Sequence, residues 1–256
     1  MLSIKASMNL FSPQHYRHGD RLTVEGSAVR LRVDARATRV SLRIDQQKRE
    51  VIVTAPTERR LSEAVAFAHN RAVWMASQMV KLPKAATVSP GQVIELLGRP
   101  CRLEAGTGRA RLIDEGEELR LVAKDDERFA SAVVRLLKAE ARRVLAERTA
   151  VHAEALGQPL PTVAVMDAKG RWGSCTPPPR GLFVKGPRIG RIRYSWRLVL
   201  APFEVMDYVA AHEAAHLIEA NHSDRFWALV ERLVGPPKVH RAWLRAHGAK
   251  LHAFGQ

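Results

Sequence analysis

The segment His212-Glu213-Ala214-Ala215-His216 constrains this chain more than any other stretch. Two histidines four positions apart lie on one face of a helix, where their imidazoles project side by side and can share one metal ion. Val205, Met206, Val209 and Leu217 flank them, so this helix must be packed into a folded body while one face stays accessible. Neutral imidazole suits Zn²⁺. Glu213 is turned about 100° round the helix from His212 and flanks the metal position instead of entering it. That is the place of a general base acting on a water that the metal activates.

A catalytic zinc takes three protein ligands and leaves a fourth position open. Glu219, His222 and Glu231 are the candidates for the third. Glu219 lies one turn on along the same helix and points back over ground the histidine pair occupies. Glu231 belongs to the next expected helix and approaches from there. His222 requires the chain to leave the helix within about a turn and swing back, the spacing at which metzincins place a third histidine. Asn221 is expected to take the left-handed conformation that this corner needs, and Ser223 to cap the following helix. The spacing favours His222.

The remaining composition narrows the class. The 256 residues suit one large domain or two small ones, and two cysteines, Cys101 and Cys175, exclude a disulfide scaffold or a four-cysteine zinc site. No apolar run is long enough to span a membrane. The start, MLSIKASMNLFSPQHYRHGD, has no apolar core with a small-residue cleavage site, so a cytoplasmic location is expected. Lys and Arg number 41 against 26 Asp and Glu, a net charge of +15. The excess is spread along the chain with no basic arm, which favours a solvated basic surface over a dedicated nucleic-acid site and leaves room for weak association with nucleic acid.

Period-2 alternation predicts strands over residues 21–26, 29–33, 38–45 and 50–55, with Val40, Leu42 and Ile44 on one face. A helix over 58–78 follows, then a proline-containing connector over 81–91 and strands within 92–98, 99–104, 109–114 and 118–123. A long helix is expected over 127–156, stopped by Gly157 and Pro159. Residues 162–167 read as a strand, 171–181 as a loop rich in Gly, Ser and Pro, and 182–184 and 191–200 as strands. Helices are expected over 203–220, 223–234 and 238–253, and no internal repeat is visible.

The stretch RWGSC (171–175), together with YSWRLVLAPFEVMDYVAAHEAAHLIEANHSDRFW (194–227), resembles the signature of the YgjP-like zinc metallopeptidases, whose active-site helix is similar to that of WLM and SprT-like proteases. TRVSLRID, the VTAP–helix–AVWMASQM unit and VIELLGRPCRLE match the N-terminal pattern of that family, so the resemblance covers most of the chain. It implies a compact zinc-peptidase fold, with His212, His216 and His222 as ligands and Glu213 as catalytic base. The chain departs from the pattern in carrying Ala214 where the family has Leu, and in a longer segment between Cys175 and Tyr194.

The expectation is therefore an α+β protein. A β-rich N-terminal region with one helix occupies residues 1–125, and a zincin-like catalytic region occupies 126–256. The expected activity is zinc-dependent hydrolysis of protein or peptide substrates. The alternative is a basic nucleic-acid-associated protein, including a protease acting on DNA-bound proteins. Tyr194, Tyr208 and His240 are candidates to stabilise the oxyanion. RWGSC reads as a structural turn, with Trp172 in the core and Gly173 supplying an unusual φ; Cys175 is not needed as a ligand. Trp196, Trp227 and Trp243 read as core anchors.

Overall fold

The alternation seen early in the chain is realised as a sheet of β1 (Arg21–Val24), β2 (Ser27–Val33), β3 (Ser41–Asp45) and β4 (Glu50–Ala55), in the order β1-β2-β4-β3. The structure is a computed structural model and describes residues 15–45, 48–81, 87–116, 118–168, 170–179 and 189–255. One sheet face buries Val29, Leu31, Val51, Val53 and Ala55 beneath α1 (Leu61–Asn70) and α2 (Ala72–Lys81). The single helix expected over 58–78 is a 3₁₀ turn followed by these two helices, broken at Arg71. Asn70, a weak helix former, precedes the break. The break lets α1 cover β4 while α2 reaches β2 and β3. On the opposite face the register places Arg21 beside Arg30, and Arg30 and Arg43 on either side of Ile52. Glu50 is buried and pairs with Arg21 at 3.4 Å and Arg30 at 2.9 Å.

The chain divides into two compact units, Met1–Leu82 and Pro83–Gln256. The division expected near residue 125 thus lies earlier. The reason is that β5 (Val93–Leu96), β6 (Arg99–Gly106), β7 (Arg111–Asp114) and β8 (Leu119–Lys124) share one core with the long helix α3 (Phe129–Ala155) and the elements after it. Leu103, Leu121, Val133 and Leu137 meet there at essentially zero exposure.

This second sheet repeats the plan of the first, in the order β5-β6-β8-β7, with a parallel central pair and antiparallel outer pairs. Both first hairpins turn on two residues of positive φ, Glu25-Gly26 (45° and 78°) and Leu97-Gly98 (53° and 82°), as type I′ turns require. Both sheets are entered alike. Gly19 N–H donates to Leu31 C=O and Leu31 N–H to Asp20 C=O; Gly91 and Leu103 do the same with Leu103 and Gln92. The repeat escapes a sequence reading because these shared features belong to the backbone, while the side chains differ.

A third sheet, ordered β10-β11-β9, is built from β9 (Thr162–Met166), β10 (Gly173–Thr176) and β11 (Arg191–Ser195). β10 lies inside the stretch expected to be a loop. Pairing with β11 makes it extended despite its Gly-Ser-Cys composition. The strand expected over 191–200 ends at Ser195 and continues as a 3₁₀ turn that buries Trp196, Leu198 and Val199. The strand expected over 182–184 lies outside the described residues.

α3 is about 40 Å long at 1.5 Å per residue. It buries a stripe from Phe129 through Val133, Leu137, Ala141 and Leu145 to Ala153. It packs against α4 (Phe203–Ala215), and a polar knot ties the two together. Arg148 grips the Asp207 carboxylate with Nε at 2.8 Å and Nη2 at 3.2 Å, and His152 Nε2 reaches the same carboxylate at 2.7 Å. Burial alone would raise the Asp207 pKa, but the bonds from His152 and Arg148 outweigh it and hold the carboxyl below its usual range. α5 (Asp224–Val234) and α6 (Lys238–Ala253) complete the unit. No helix among the described residues is long and apolar enough to cross a membrane.

Candidate metal centre

α4 carries His212 and Glu213 on its last turn and ends at Ala215, with His216 as its C-cap residue. The helix closes by tightening: Leu217 N–H donates to Ala214 C=O, while Ile218 and Glu219 N–H both donate to Ala215 C=O. This turn replaces the left-handed Asn221 expected at the corner; among the described residues only Glu25, Arg49 and Leu97 are non-glycine residues with positive φ. Ser223 caps α5 as expected, accepting from Phe226 N–H at 3.4 Å.

The corner returns His222 to the helix. The ligand-capable atoms of His212, His216 and His222 all lie within 4.8 Å of one another. His212 Nε2 and His222 Nε2 are 3.1 Å apart. Two nitrogens bound tetrahedrally to one zinc ion at about 2.0–2.1 Å stand roughly 3.3 Å apart, so the spacing fits such an ion. His216 Nδ1 lies 2.8 Å from the Glu219 carbonyl. A carbonyl only accepts, so Nδ1 carries the proton and Nε2 keeps the lone pair that a metal needs. Burial first, then its two histidine neighbours and Arg241, push the His212 pKa down to about 3, and the same kinds of influence lower that of His222. Both are thereby held neutral, the ligand form. Neither Glu219 nor Glu231 joins this group.

Sequence reasoning missed the floor of the site. Phe226 is fully buried, and its ring centroid lies 4.8, 4.5 and 4.7 Å from those of His212, His216 and His222. Its position three residues after the capping Ser223 was the available signal. Above the rings, a cavity of about 260 Å³ is lined by Gly173, Cys175, Pro177, His212, Glu213, His216, Ala220 and His222. A larger cleft of about 480 Å³ beside β5 and α6 contains none of the three histidines.

Glu213 is 5 % exposed, its Oε2 is buried without a hydrogen-bond partner, and burial raises its pKa to about 7 against the opposing pull of Arg171. Gly173 makes room for it: a Cβ there would lie 2.6 Å from Glu213 Cδ. Gly173 is therefore required by close approach and not by an unusual φ. Trp172, next to it, stacks on His252 with centroids 4.4 Å apart and packs against Gly248 of α6, while its carbonyl accepts from Ser195 N–H at 2.8 Å. These contacts anchor RWGSC at the rim of the cavity. Burial raises the Cys175 pKa to about 12, which favours the protonated thiol.

Residues 38–247 match the YgjP-like, metallopeptidase domain family. The chain belongs to the YgjP-like metallopeptidases. No curated protein and no solved structure matches it. In this YgjP-like chain the matched span includes all three histidines, Glu213 and RWGSC, and it begins within the first unit. At family level the protein is a metallopeptidase and hence a hydrolase.

The three candidates for the oxyanion fare differently. The Tyr194 hydroxyl is fully buried and bonded to Thr149 Oγ1 at 2.8 Å, so it is committed to the core. Tyr208 is also buried; it sits edge-on to His212 at 6.0 Å and is stacked on His240 at 5.5 Å. Tyr208 and His240 thus brace His212. Trp196 and Trp243 pack with the core as expected, whereas Trp227 also stacks on His222 at 5.6 Å.

Proposed function

We propose that this YgjP-like metallopeptidase is zinc-dependent, that His212, His216 and His222 hold the ion, and that Glu213 is the general base. One observation carries the reading: a buried carboxylate with an unpartnered oxygen shares a small cavity with three imidazoles whose ligand-capable nitrogens converge. When bound, zinc supplies Lewis acidity that polarises the scissile carbonyl and acidifies water. Glu213 accepts the proton of the attacking water at its carboxylate and passes it to the leaving amine. His216 is oriented by its bond to the Glu219 carbonyl. Phe226 excludes water from the inner side of the ring cluster. β10 lies at the edge of its sheet beside the cavity, so its backbone suits pairing with an extended peptide.

The test is Glu213→Gln. The variant should retain stoichiometric zinc after dialysis and lose peptidase activity by roughly 10²–10⁴-fold. Loss of the metal on this substitution would overturn the assignment of Glu213 as base.

A second reading, association with nucleic acid, is motivated by the arginines on the face of the first sheet opposite its helices, where Arg21, Arg30 and Arg43 share a row. Its expected form is weak, non-specific binding that falls steeply between about 50 and 200 mM salt. Sub-micromolar binding to DNA that survives physiological salt would promote it to the main function.

A further inference from the structure

Several arginines of the second unit are matched with carboxylates: Arg99 with Asp114, Arg120 with Glu104 and Glu115, Arg148 with Asp207, and Arg197 with Asp167. Arg241 is not. It has no ion pair among the described residues, and its guanidinium lies over the Trp227 ring, 4.7 Å from the centroid. Trp227 in turn stacks on His222 at 5.6 Å and meets His212 at 6.0 Å. The neighbouring residue His240 reaches the other flank of the same cluster through Tyr208. The first turn of α6 therefore abuts the metal centre at two points. A guanidinium held over an aromatic face is positioned by it and can still offer N–H groups to another partner. A planar fork held this way matches a carboxylate with two parallel hydrogen bonds. Arg171 is another exposed cation with no ion pair among the described residues; it lies two residues before Gly173, against which Glu213 packs. Among the described residues Glu213 is the one acid lining the cavity.

We infer that Arg241, braced on Trp227 beside the histidine cluster, binds a carboxylate of the peptide substrate, so that the enzyme selects acidic or C-terminally free peptides. This rests on the peptidase reading above. Arg241 is a specificity-determining residue: it touches a substrate group away from the scissile bond and takes no part in proton transfer.

The experiment uses the full chain carrying Glu213→Gln, loaded with zinc, and measures binding by calorimetry to three versions of one ten-residue peptide. The first has internal glutamates and an amidated C-terminus. The second has glutamines in their place and the same amide. The third has glutamines and a free C-terminal carboxylate. One carboxylate-bearing peptide should bind about tenfold tighter than the neutral one, in line with a charge-assisted bidentate contact. Which of the two gains identifies the source of the carboxylate. Adding Arg241→Ala should abolish that gain while leaving zinc content and neutral-peptide binding unchanged, and Arg241→Lys should restore it only in part. In the enzyme with Glu213 intact, Arg241→Ala should raise KM for the preferred peptide and spare kcat. Equal binding of all three peptides, no binding of any, or an equal loss for all three on Arg241→Ala would overturn the inference. Selective binding without hydrolysis by the unsubstituted protein would instead overturn the peptidase reading and leave the carboxylate site standing.

Discussion

The Glu213 carboxyl group rests against the Cα of Gly173, so that a methyl group on that carbon would fall 2.6 Å from Glu213 Cδ. Two elements distant in sequence, an edge strand and the end of a helix, thereby fix one carboxylate between them. Gly173→Ala should displace Glu213 while the histidines stay in place. Peptidase activity should fall about 10²-fold, the penalty of misplacing a reacting group by about an ångström, with zinc content unchanged. Unaltered kcat/KM in this variant would show that catalysis does not depend on where Glu213 is held.

His222 and Glu231 make opposite predictions for metal affinity. His222→Ala should weaken zinc binding beyond the roughly 10–100-fold that loss of an outer partner costs, whereas Glu231→Ala and Glu219→Ala should leave it intact. Competition with a chelator of known affinity reads the difference. Release of zinc from Glu231→Ala, with His222→Ala still loaded, would displace the three-histidine site.

Tyr194→Phe separates a core role from a catalytic one. The hydroxyl is bonded to Thr149 within the interior, so its removal should cost about 0.5–1.5 kcal/mol of stability and leave kcat unchanged. A kcat lowered tenfold or more at unchanged zinc content would return Tyr194 to the active site.

The Asp207 knot predicts a stability difference that depends on acidity. Its carboxyl is held below the usual range in the folded protein, so the contribution is complete above the unfolded value of about 3.9 and is lost as pH falls through the folded pKa. Asp207→Asn should therefore destabilise by about 2 kcal/mol at pH 7, and the gap to the unsubstituted protein should narrow below about pH 4. Urea midpoints across that range measure it, and a gap that stays constant down to pH 2 would contradict the assignment.

The parts of the site that could be read from the residues were those governed by local spacing. His212 and His216 face the same way because any helix makes them do so, and Ser223 caps α5 because its hydroxyl is three residues from an orphan N–H. What could not be read depended on partners remote in sequence. Gly173, Ser174 and Cys175 have little strand preference, and only their pairing with Tyr194, Arg193 and Ile192 makes them β10. Phe226 reads as an ordinary apolar position on α5 until three imidazoles are seen around it. The boundary after Leu82 was obscured because the strands on either side alternate in the same way.

That same likeness carries a further consequence. Two sheets of one plan close over different neighbours: the first over its own helices α1 and α2, the second over α3, which is knotted through Asp207 to the helix bearing His212. Damage to equivalent strands is thus felt in different places. A truncation at Val53 of β4 falls on a core whose members all lie in the first unit. One at Leu121 of β8 loosens the bed of α3, and with it the footing of the metal centre, so two copies of one plan differ in what their cores hold up.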